Sequence, residues 1–381
     1  MAKIVCVHSF RHGTGKSNVV ANLAAIIASC GQRAGIIDTD IPSPGLHLLF
    51  GLESEQINAT LNDYLWGAAA LADIAYNVSD TGSTSDSRRW PATATSPSKG
   101  DIYLIPGNLK ASEIPRVWGG GYSVELLSDS FELLLRDLRL DYLLIDSRAG
   151  LDEETLISIA LCDVLVLVVR LDRQDFQGTA LMVELARKLQ VPHIYLAVNQ
   201  VLPTYDFEAV RQQVETTYSV PVAGILPFSE TLVELGSSDL FCLQYPNHLF
   251  TEQLRAIADK ITCCKASQTR PEIVLAPPLE IPNHEAGGLR MFDFLMQHNS
   301  ERQLAKWILQ QRKPVTLAEA VAHTGTEEIA VRTMLDTLVG EGCLLELEMA
   351  GERRYRPRLA PKKGRQLCKY IWEKIEGNGA D

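Results

Sequence analysis

Ser9-Phe10-Arg11-His12-Gly13-Thr14-Gly15-Lys16-Ser17 follows the apolar segment 4–7 and precedes a helical pattern that starts near Lys16. A glycine-bearing loop between a strand and a helix, ending in Gly-Lys-Ser, is the usual form of a nucleoside triphosphate site. Backbone N–H groups surround the phosphates there, and the helix N-terminus adds the positive end of its dipole. Lys16 is expected to neutralise the β- and γ-phosphate oxygens, and Ser17 to ligate Mg²⁺. The common motif also has glycine at position 10, where this chain has Phe10, so a variant of it is expected.

The variant resembles the Lys-Gly-Gly-x-Gly-Lys-Ser/Thr deviant loop of the MinD/ParA ATPases, with Arg11 for the first lysine and His12 for a glycine. Proteins of that family position cellular cargo, typically as dimers with ATP at the interface. The resemblance therefore implies ATP and Mg²⁺ as ligands and a homodimer formed on ATP binding. It also implies that ATP is contacted by the loop and the first helical turn, at His12, Gly13, Thr14, Gly15, Lys16, Ser17 and Asn18.

Length and composition indicate a globular protein of two domains. The chain has 381 residues, more than one core usually holds. No apolar run reaches the ~18–20 residues that span a bilayer, and the four-residue apolar run near the N-terminus is too short for a signal peptide. The eight cysteines have neither metal-ligand nor disulfide spacing, which is typical of a cytoplasmic protein. The lack of a Cys-x-x-Cys pair argues against the iron–sulfur carriers that share this nucleotide fold.

The formal charge of −11 is unevenly distributed along the chain. Residues 301–381 carry 14 basic and 12 acidic side chains, whereas the first 300 residues carry 22 and 35. Any contact with nucleic acid is therefore expected in the C-terminal part.

Strand-like and helix-like segments alternate over the first 265 residues, which predicts an α/β fold with a mostly parallel sheet and helices on both faces. Several predicted strands are apolar throughout, as strands covered on both sides are. The predicted strands are 4–7, 34–37, 102–105, 142–145, 164–169, 193–198 and 222–225. The predicted helices are 17–29, 124–138, 155–161, 178–188, 207–218 and 250–261.

Composition divides the chain into a nucleotide-binding domain (1–265), a proline-rich linker (266–289) and a small C-terminal domain (290–381). A Ser-, Thr- and Pro-rich insert at 77–100 is too polar to form a core. The C-terminal domain resembles the winged helix-turn-helix of bacterial regulators. Its predicted elements are helices 302–311, 317–323 and 327–340, the third capped by Thr326, strands 344–349 and 353–358, and a closing helix 366–375.

Two acids follow the second predicted strand, in Asp38-Thr39-Asp40. Phosphoryl transfer needs an in-line water held by an acceptor and a metal shell that a carboxylate joins. The resemblance implies that these acids form the first switch, with Asp38 in the Mg²⁺ shell and Asp40 positioning the attacking water. Either acid could instead cap the strand end or start the turn that follows.

The apolar strand 142–145 closes on Asp146, which is typical of a strand end associated with Mg²⁺. The chain continues as Ser147-Arg148-Ala149-Gly150. The second switch of the family commonly reads Asp-x-Pro-Ala-Gly, so Arg148 stands where the family has proline. The resemblance implies that Gly150 moves towards the γ-phosphate.

Two further strand ends match the family. Asn199 follows strand 193–198, and the resemblance implies that its amide holds the adenine edge with one donor and one acceptor. Pro227 falls where relatives pack a loop against the base. Turn chemistry alone could also explain both residues.

The loop departs from the family at three positions. Arg11 keeps the positive charge that relatives extend to the partner's nucleotide, and its planar fork can hold two phosphate oxygens. His12 would be strained at a positive φ by about 1 kcal/mol or more. Phe10 adds bulk at a small position. The hydrolysis rate and the dimer geometry are therefore left open.

The tail offers two surfaces. Its predicted recognition helix is acidic, but the following strand places positive charges on one face, so DNA or a partner protein could bind there; the residues concerned are Arg353, Arg354, Arg356 and Arg358. The closing helix has an apolar stripe at Leu367, Ile371 and Ile375, which is compatible with a membrane-surface helix or with covering the domain core.

The expected function is a dimerising molecular-switch ATPase whose nucleotide state controls engagement of a partner or of DNA. Arg11, Lys16 and Asp40 would be its catalytic residues. The alternative is a nucleotide-sensing transcription regulator with little hydrolysis and DNA bound by the winged helix. An ATP-dependent ligase of the same superfamily ranks third.

Overall fold

The computed structural model describes residues 2–41, 43–79, 100–107, 124–264, 300–311, 313–349 and 351–359. Eight strands form one sheet in the order β3-β4-β2-β5-β1-β6-β7-β8, parallel except for the antiparallel edge strand β3. These strands are β1 (Lys3–His8), β2 (Ala34–Asp38), β3 (Tyr76–Asn77), β4 (Ile102–Ile105), β5 (Tyr142–Asp146), β6 (Val164–Arg170), β7 (His193–Val201) and β8 (Val222–Pro227).

Ten α-helices precede the C-terminal part within the described residues. They are α1 (Lys16–Ser29), α2 (Leu46–Leu49), α3 (Leu61–Leu65), α4 (Val124–Asp137), α5 (Glu153–Leu161), α6 (Arg173–Lys188), α7 (Phe207–Tyr218), α8 (Glu230–Leu235), α9 (Phe241–Gln244) and α10 (Leu249–Cys263).

Both faces of the sheet are covered by apolar layers, because alternate residues of a strand point to opposite faces. In β1, Ile4 and Cys6 pack into the layer of α4, α5 and α6, whereas Val5 and Val7 pack into the layer of α1 and α10. The predicted parallel α/β fold is thereby confirmed.

Some element bounds differ from the prediction, because capping residues lie outside the apolar pattern. Asp172 accepts hydrogen bonds from the N–H groups of Gln174 and Asp175, so α6 begins at Arg173 and not at residue 178. Asp152 caps α5 in the same way, and that helix begins at Glu153. No helix among the described residues is long and apolar enough to cross a membrane.

The described residues 300–359 form what we call the C-terminal module. Its helices are α11 (Ser300–Gln311), α12 (Leu317–Thr324) and α13 (Glu328–Gly340), and its antiparallel sheet has the order β10-β11-β9. The strands are β9 (Val315–Thr316), β10 (Leu344–Met349) and β11 (Glu352–Pro357). The buried side chains of the module continue the apolar layer of α4, α5 and α6.

The predicted cap of the third helix of the module is wrong. Glu327 and not Thr326 precedes α13, and no side-chain hydrogen bond caps the helix there. The Thr326 hydroxyl donates instead to the carbonyl of Thr324. Most of the insert (80–99), the predicted linker (266–289) and the predicted helix 366–375 lie outside the described residues.

Candidate functional site

The carboxyl ends of three adjacent parallel strands bring the predicted phosphate and metal residues together. In the sheet, β5 pairs with β1 on one side and with β2 on the other. Asp146 of β5 lies opposite both Val7 of β1 and Asp38 of β2. The loop after β1 and the acids of β2 and β5 therefore share one edge of the sheet, where open α/β sheets bind ligands.

The loop between β1 and α1 has the backbone of an anion site. Gly13 and Gly15 have φ values of 77° and 88°, in the left-handed region that favours glycine. Gly15 precedes α1 and has no side chain to cap it, so the first-turn N–H groups remain available to an anion. Lys16 is buried at the start of that helix.

Asn199 holds the loop against β7. Its amide nitrogen donates to the carbonyl of Thr14 at 2.7 Å, and its amide oxygen accepts from the N–H of Gln200 at 2.8 Å. A Cβ on Gly15 would lie 2.5 Å from that amide nitrogen, so the contact requires glycine. The structure thus shows Asn199 bracing the loop, a role that the sequence did not reveal. Its contact with adenine stays a prediction.

Phe10, the bulky departure from the family loop, packs against α6. A Cβ on Gly178 would lie 2.0 Å from Cδ1 of Phe10, so this glycine makes room for the ring. The loop therefore packs against α6 through Phe10 and Gly178, which are far apart in the sequence.

Asp38 is buried and organises the chain after β2. One carboxylate oxygen accepts from the N–H of Asp40 at 3.1 Å, and the other accepts from Gly45 and Leu46 at 3.0 and 3.3 Å. Burial and the nearby charge of Asp146 raise the pKa of Asp38 well above its usual value. The structure thus shows Asp38 stabilising the turn after β2. The place of Asp38 in a metal shell stays a prediction.

Asp146 is the acid best suited to a cation. It is 2% exposed, and its Oδ1 makes no hydrogen bond within the described residues. Burial raises its pKa to about 6, although a hydrogen bond from Ser17 and the charge of Lys16 act in the opposite direction. A cation here would relieve the buried charge, so Ser17 and Asp146 fit Mg²⁺. No group of three or more His, Cys, Asp or Glu that could hold a metal occurs among the described residues. Further ligands would therefore be water and phosphate.

Asp40, in the first switch, lies between positive charges of the second switch and of the loop. Its Oδ1 is 3.9 Å from Nε of Arg148, and Nη1 of the same arginine is 3.7 Å from Asp152. Burial raises the pKa of Asp40, while Arg148, Lys16 and His12 lower it. Arg148, which the sequence predicts in the second switch, thus pairs with an acid of the first switch, a contact that the sequence does not predict.

His8 is a site residue that the sequence analysis missed. Its ring Nδ1 lies 2.8 Å from the Ser147 hydroxyl, which itself donates to the carbonyl of Val7. The hydroxyl proton is therefore used, so the ring is assigned as the Nδ1–H donor. Burial, together with the charge of Lys16, lowers the pKa of His8 to about 3 and keeps it neutral. It ties the second switch to β1.

The remaining predicted residues lie around this edge. Gly150 donates its N–H to the carbonyl of Ser9 at 3.2 Å. Pro227 ends β8 opposite Val201 of β7. Asn18 donates to the Ser237 hydroxyl at 3.4 Å.

Arg11 turns towards α6 of its own chain. Its guanidinium lies 3.7 Å from Asp172 and 3.9 Å from Asp175, and Arg170 pairs with the same two acids. Arg11 and Asp172 are 40% and 41% exposed, so their ion pair is weak and exchangeable.

Three of the four tail arginines make side-chain ion pairs within the chain. Arg356 donates to both oxygens of Asp129 on α4, at 2.5 and 2.6 Å. Arg353 and Arg354 pair with Glu346 and Glu352, and Arg358 lies just after β11. The face predicted to be open to nucleic acid thus includes a contact with the nucleotide-binding domain.

Comparison with known proteins agrees with the geometry. The family model of the CobQ/CobB/MinD/ParA nucleotide binding domain matches residues 5–240. An uncharacterized ATP-binding protein of Methanocaldococcus jannaschii is 26% identical over 266 residues, which cover 70% of this chain and 89% of that protein.

Two solved structures share the fold. The cell division ATPase MinD of Pyrococcus furiosus superposes with a TM-score of 0.56 at 20% identity, over 69% of this chain and 99% of that one. The septum site-determining protein MinD of Pyrococcus horikoshii, complexed with Mg-ADP, superposes with a TM-score of 0.55 at 20% identity. The superposition covers 69% of this chain and 97% of that one.

Proposed function

The chain belongs to the CobQ/CobB/MinD/ParA nucleotide-binding family, and we propose that it is a slowly hydrolysing ATPase of the MinD/ParA type. Its nucleotide state would control a homodimer and the engagement of a partner or of DNA by the C-terminal module. The module would act as a winged helix-turn-helix.

One observation carries the proposal: a glycine loop ending in Lys16 and Ser17 faces the buried carboxylate of Asp146. The N–H groups at the start of α1 have no side-chain cap within the described part of the chain and suit phosphate oxygens. The unsatisfied oxygen of Asp146 suits a cation beside them. A nucleoside triphosphate with Mg²⁺ supplies both charges at once, and the loop can hold it.

Mg²⁺ would stabilise the charge that develops on the phosphates, with Ser17 and Asp146 organising its shell. Lys16 would neutralise the γ-phosphate oxygens. Asp40 would orient a water in line with the γ-phosphorus. Hydrolysis forms a bond from that water oxygen to phosphorus and breaks the bond to the β–γ bridging oxygen, giving ADP and phosphate. The proton lost by the water ends on phosphate or in solvent.

Arg11 would act in the dimer. In the single chain its half-exposed guanidinium makes long ion pairs with the exposed Asp172 and the buried Asp175. Arg170 also pairs with both acids, so they keep a cation when Arg11 leaves and the pairs of Arg11 cost little to break. The doubly charged γ-phosphate of a second copy would be a stronger partner for its planar fork. We therefore propose that ATP draws Arg11 from α6 to the partner's nucleotide.

The module would sense this change through α6. The carbonyls at the C-terminal end of α6 accept from the module, Lys188 from Lys306 and Leu189 from Gln310, the latter at 2.8 Å. Arg11 and Phe10 contact the same helix at its other end. One rigid helix thus has the nucleotide loop at its start and the module at its end, which supports coupling between them.

ATP turnover and oligomeric state, measured together with and without Mg-ATP, test this proposal. Slow hydrolysis with ATP-dependent dimerisation, both lost in Arg11→Ala, would support it. Arg136→Ala is the matched control, because that arginine is exposed and pairs with its neighbour Asp137. Tight ATP binding without turnover or assembly would instead support the nucleotide-sensing regulator.

A further inference from the structure

Arg148 is a charged residue of the second switch that reaches the first. It follows Asp146 by two positions, and its side chain is 29% exposed. Its guanidinium faces two carboxylates, Asp40 at 3.9 Å and Asp152 at 3.7 Å. Both distances exceed a hydrogen bond, so the N–H fork has ion pairs but no fixed acceptor among the described residues.

The backbone of Asp40 is held by a hydrogen bond, and its carboxylate interacts with two cations. Its N–H donates to Asp38, which holds it at the end of β2. Its carboxylate feels both Lys16 and Arg148. Because one partly buried carboxylate interacts with both cations, the Arg148 guanidinium lies close to the loop lysine.

The neighbours of Arg148 fix its backbone but leave its side chain able to move. The Arg148 carbonyl accepts from the Thr155 hydroxyl at 3.3 Å, and the adjacent Ser147 is held by His8. Among the residues that the structure describes, the side chain itself has only the two long ion pairs. A guanidinium set on a fixed backbone with exchangeable partners can change acceptors without refolding the switch.

We propose that Arg148 is a positioning residue that senses the terminal phosphate of a nucleoside triphosphate bound to its own chain. Without that phosphate, Arg148 pairs with Asp40 and joins the two switches. A γ-phosphate carries more charge and more acceptor oxygens than a carboxylate, so the guanidinium turns to it and frees Asp40 to hold water. This inference rests on the proposed ATPase function. The role of Arg148 differs from the role proposed for Arg11, which contacts the nucleotide of the partner subunit.

Equilibrium binding of ADP and of a non-hydrolysable ATP analogue to the full chain tests the proposal. Arg148→Ala should weaken binding of the analogue by about tenfold, the loss expected for one charge-assisted contact. Its ADP affinity should stay within about twofold of wild type, which also shows that the variant is folded. Arg148→Lys should recover part of the loss, because it keeps the charge but not the fork.

Equal weakening for both nucleotides would show a structural role and overturn the inference. Unchanged affinity for the analogue would overturn it too. In either case binding of both nucleotides by wild type leaves the proposed function standing. A wild-type chain that binds neither nucleotide would overturn the proposed function and this inference together.

Discussion

Arg356 donates to both carboxylate oxygens of Asp129, with nitrogen–oxygen distances of 2.5 and 2.6 Å. Asp129 lies on α4 and Arg356 on β11, and 227 positions of sequence separate them. This pair therefore fastens the C-terminal module to the nucleotide-binding domain. It also occupies one of the arginines that the sequence offers to nucleic acid.

Asp129→Asn should loosen the docking of the module. The pair is partly exposed, so we expect the free energy of docking to fall by about 1 kcal/mol. The undocked population should then rise roughly fivefold. Hydrogen exchange of the β11 amides should rise accordingly. Asp137→Asn on the same helix is the control, because Asp137 pairs only with its neighbour Arg136 among the ion pairs of the described residues. Unchanged exchange in β11 would show that the pair does not hold the module.

Gly178→Ala should destabilise the protein, although alanine favours a helix over glycine by about 1 kcal/mol. The new methyl group would meet the Phe10 ring at 2.0 Å, and such overpacking costs about 1–3 kcal/mol. Thermal unfolding and ATP affinity are the measurements, since the displaced ring carries the loop with it. In a Phe10→Gly background, which removes Cβ (2.7 Å from the new methyl group) as well as the ring, the same change should become neutral or stabilising. If it destabilises both backgrounds equally, the ring is not the cause.

Gly15→Ala should weaken ATP binding more than Gly13→Ala does. Both positions have positive φ, so both variants carry backbone strain of about 1 kcal/mol. Only at Gly15 would the methyl group also strike the Asn199 amide, which leaves the Thr14 carbonyl without its donor. Isothermal titration with ATP analogue measures the difference. Equal losses in the two variants would mean that the bracing by Asn199 is unimportant.

Asp146→Asn should stabilise the ligand-free protein at pH 7.5. The folded pKa of Asp146 is raised to about 6, above its unfolded value near 4, so its contribution to stability falls as pH rises between those values. The amide removes that cost, and the melting temperature should rise by several degrees at pH 7.5 and by little near pH 4.5. The same variant should lose the added stability that Mg²⁺ and nucleotide give wild type.

The comparison with wild type at each pH is needed because His8 acts with the opposite sign. Its folded pKa is lowered to about 3, so protonation of the unfolded chain costs stability as pH falls below about 6.5. This contribution is common to both proteins and cancels in their difference. A variant that is less stable than wild type at pH 7.5 would contradict the buried-charge interpretation.

Local patterns predicted the fold and the positions of the site residues. The apolar runs at β1, β2 and β5 locate Lys16, Asp38 and Asp146, because parallel strands bring their carboxyl ends to one edge. The sequence could not show the contacts between distant segments. The loop meets Asn199 and Gly178, and β11 meets Asp129, only once the chain is packed.

The contact between Arg148 and Asp40 could not be predicted for the same reason. A proline position filled by arginine is visible in the sequence, but its partner depends on how the two switches face each other. The caps Asp152 and Asp172 were missed for a different reason, since they lie just outside the apolar periodicity that defines the helices.

ATP hydrolysis at this site is tested most directly by measuring Mg²⁺-dependent phosphate release from wild type, Lys16→Ala and Asp40→Ala, with ATP binding measured in parallel. We expect slow release by wild type and no binding or turnover in Lys16→Ala. Asp40→Ala should retain ATP binding, accumulate as the ATP-bound dimer and release phosphate at least about a hundredfold more slowly. Full activity in Lys16→Ala, or wild-type turnover in Asp40→Ala, would contradict the account.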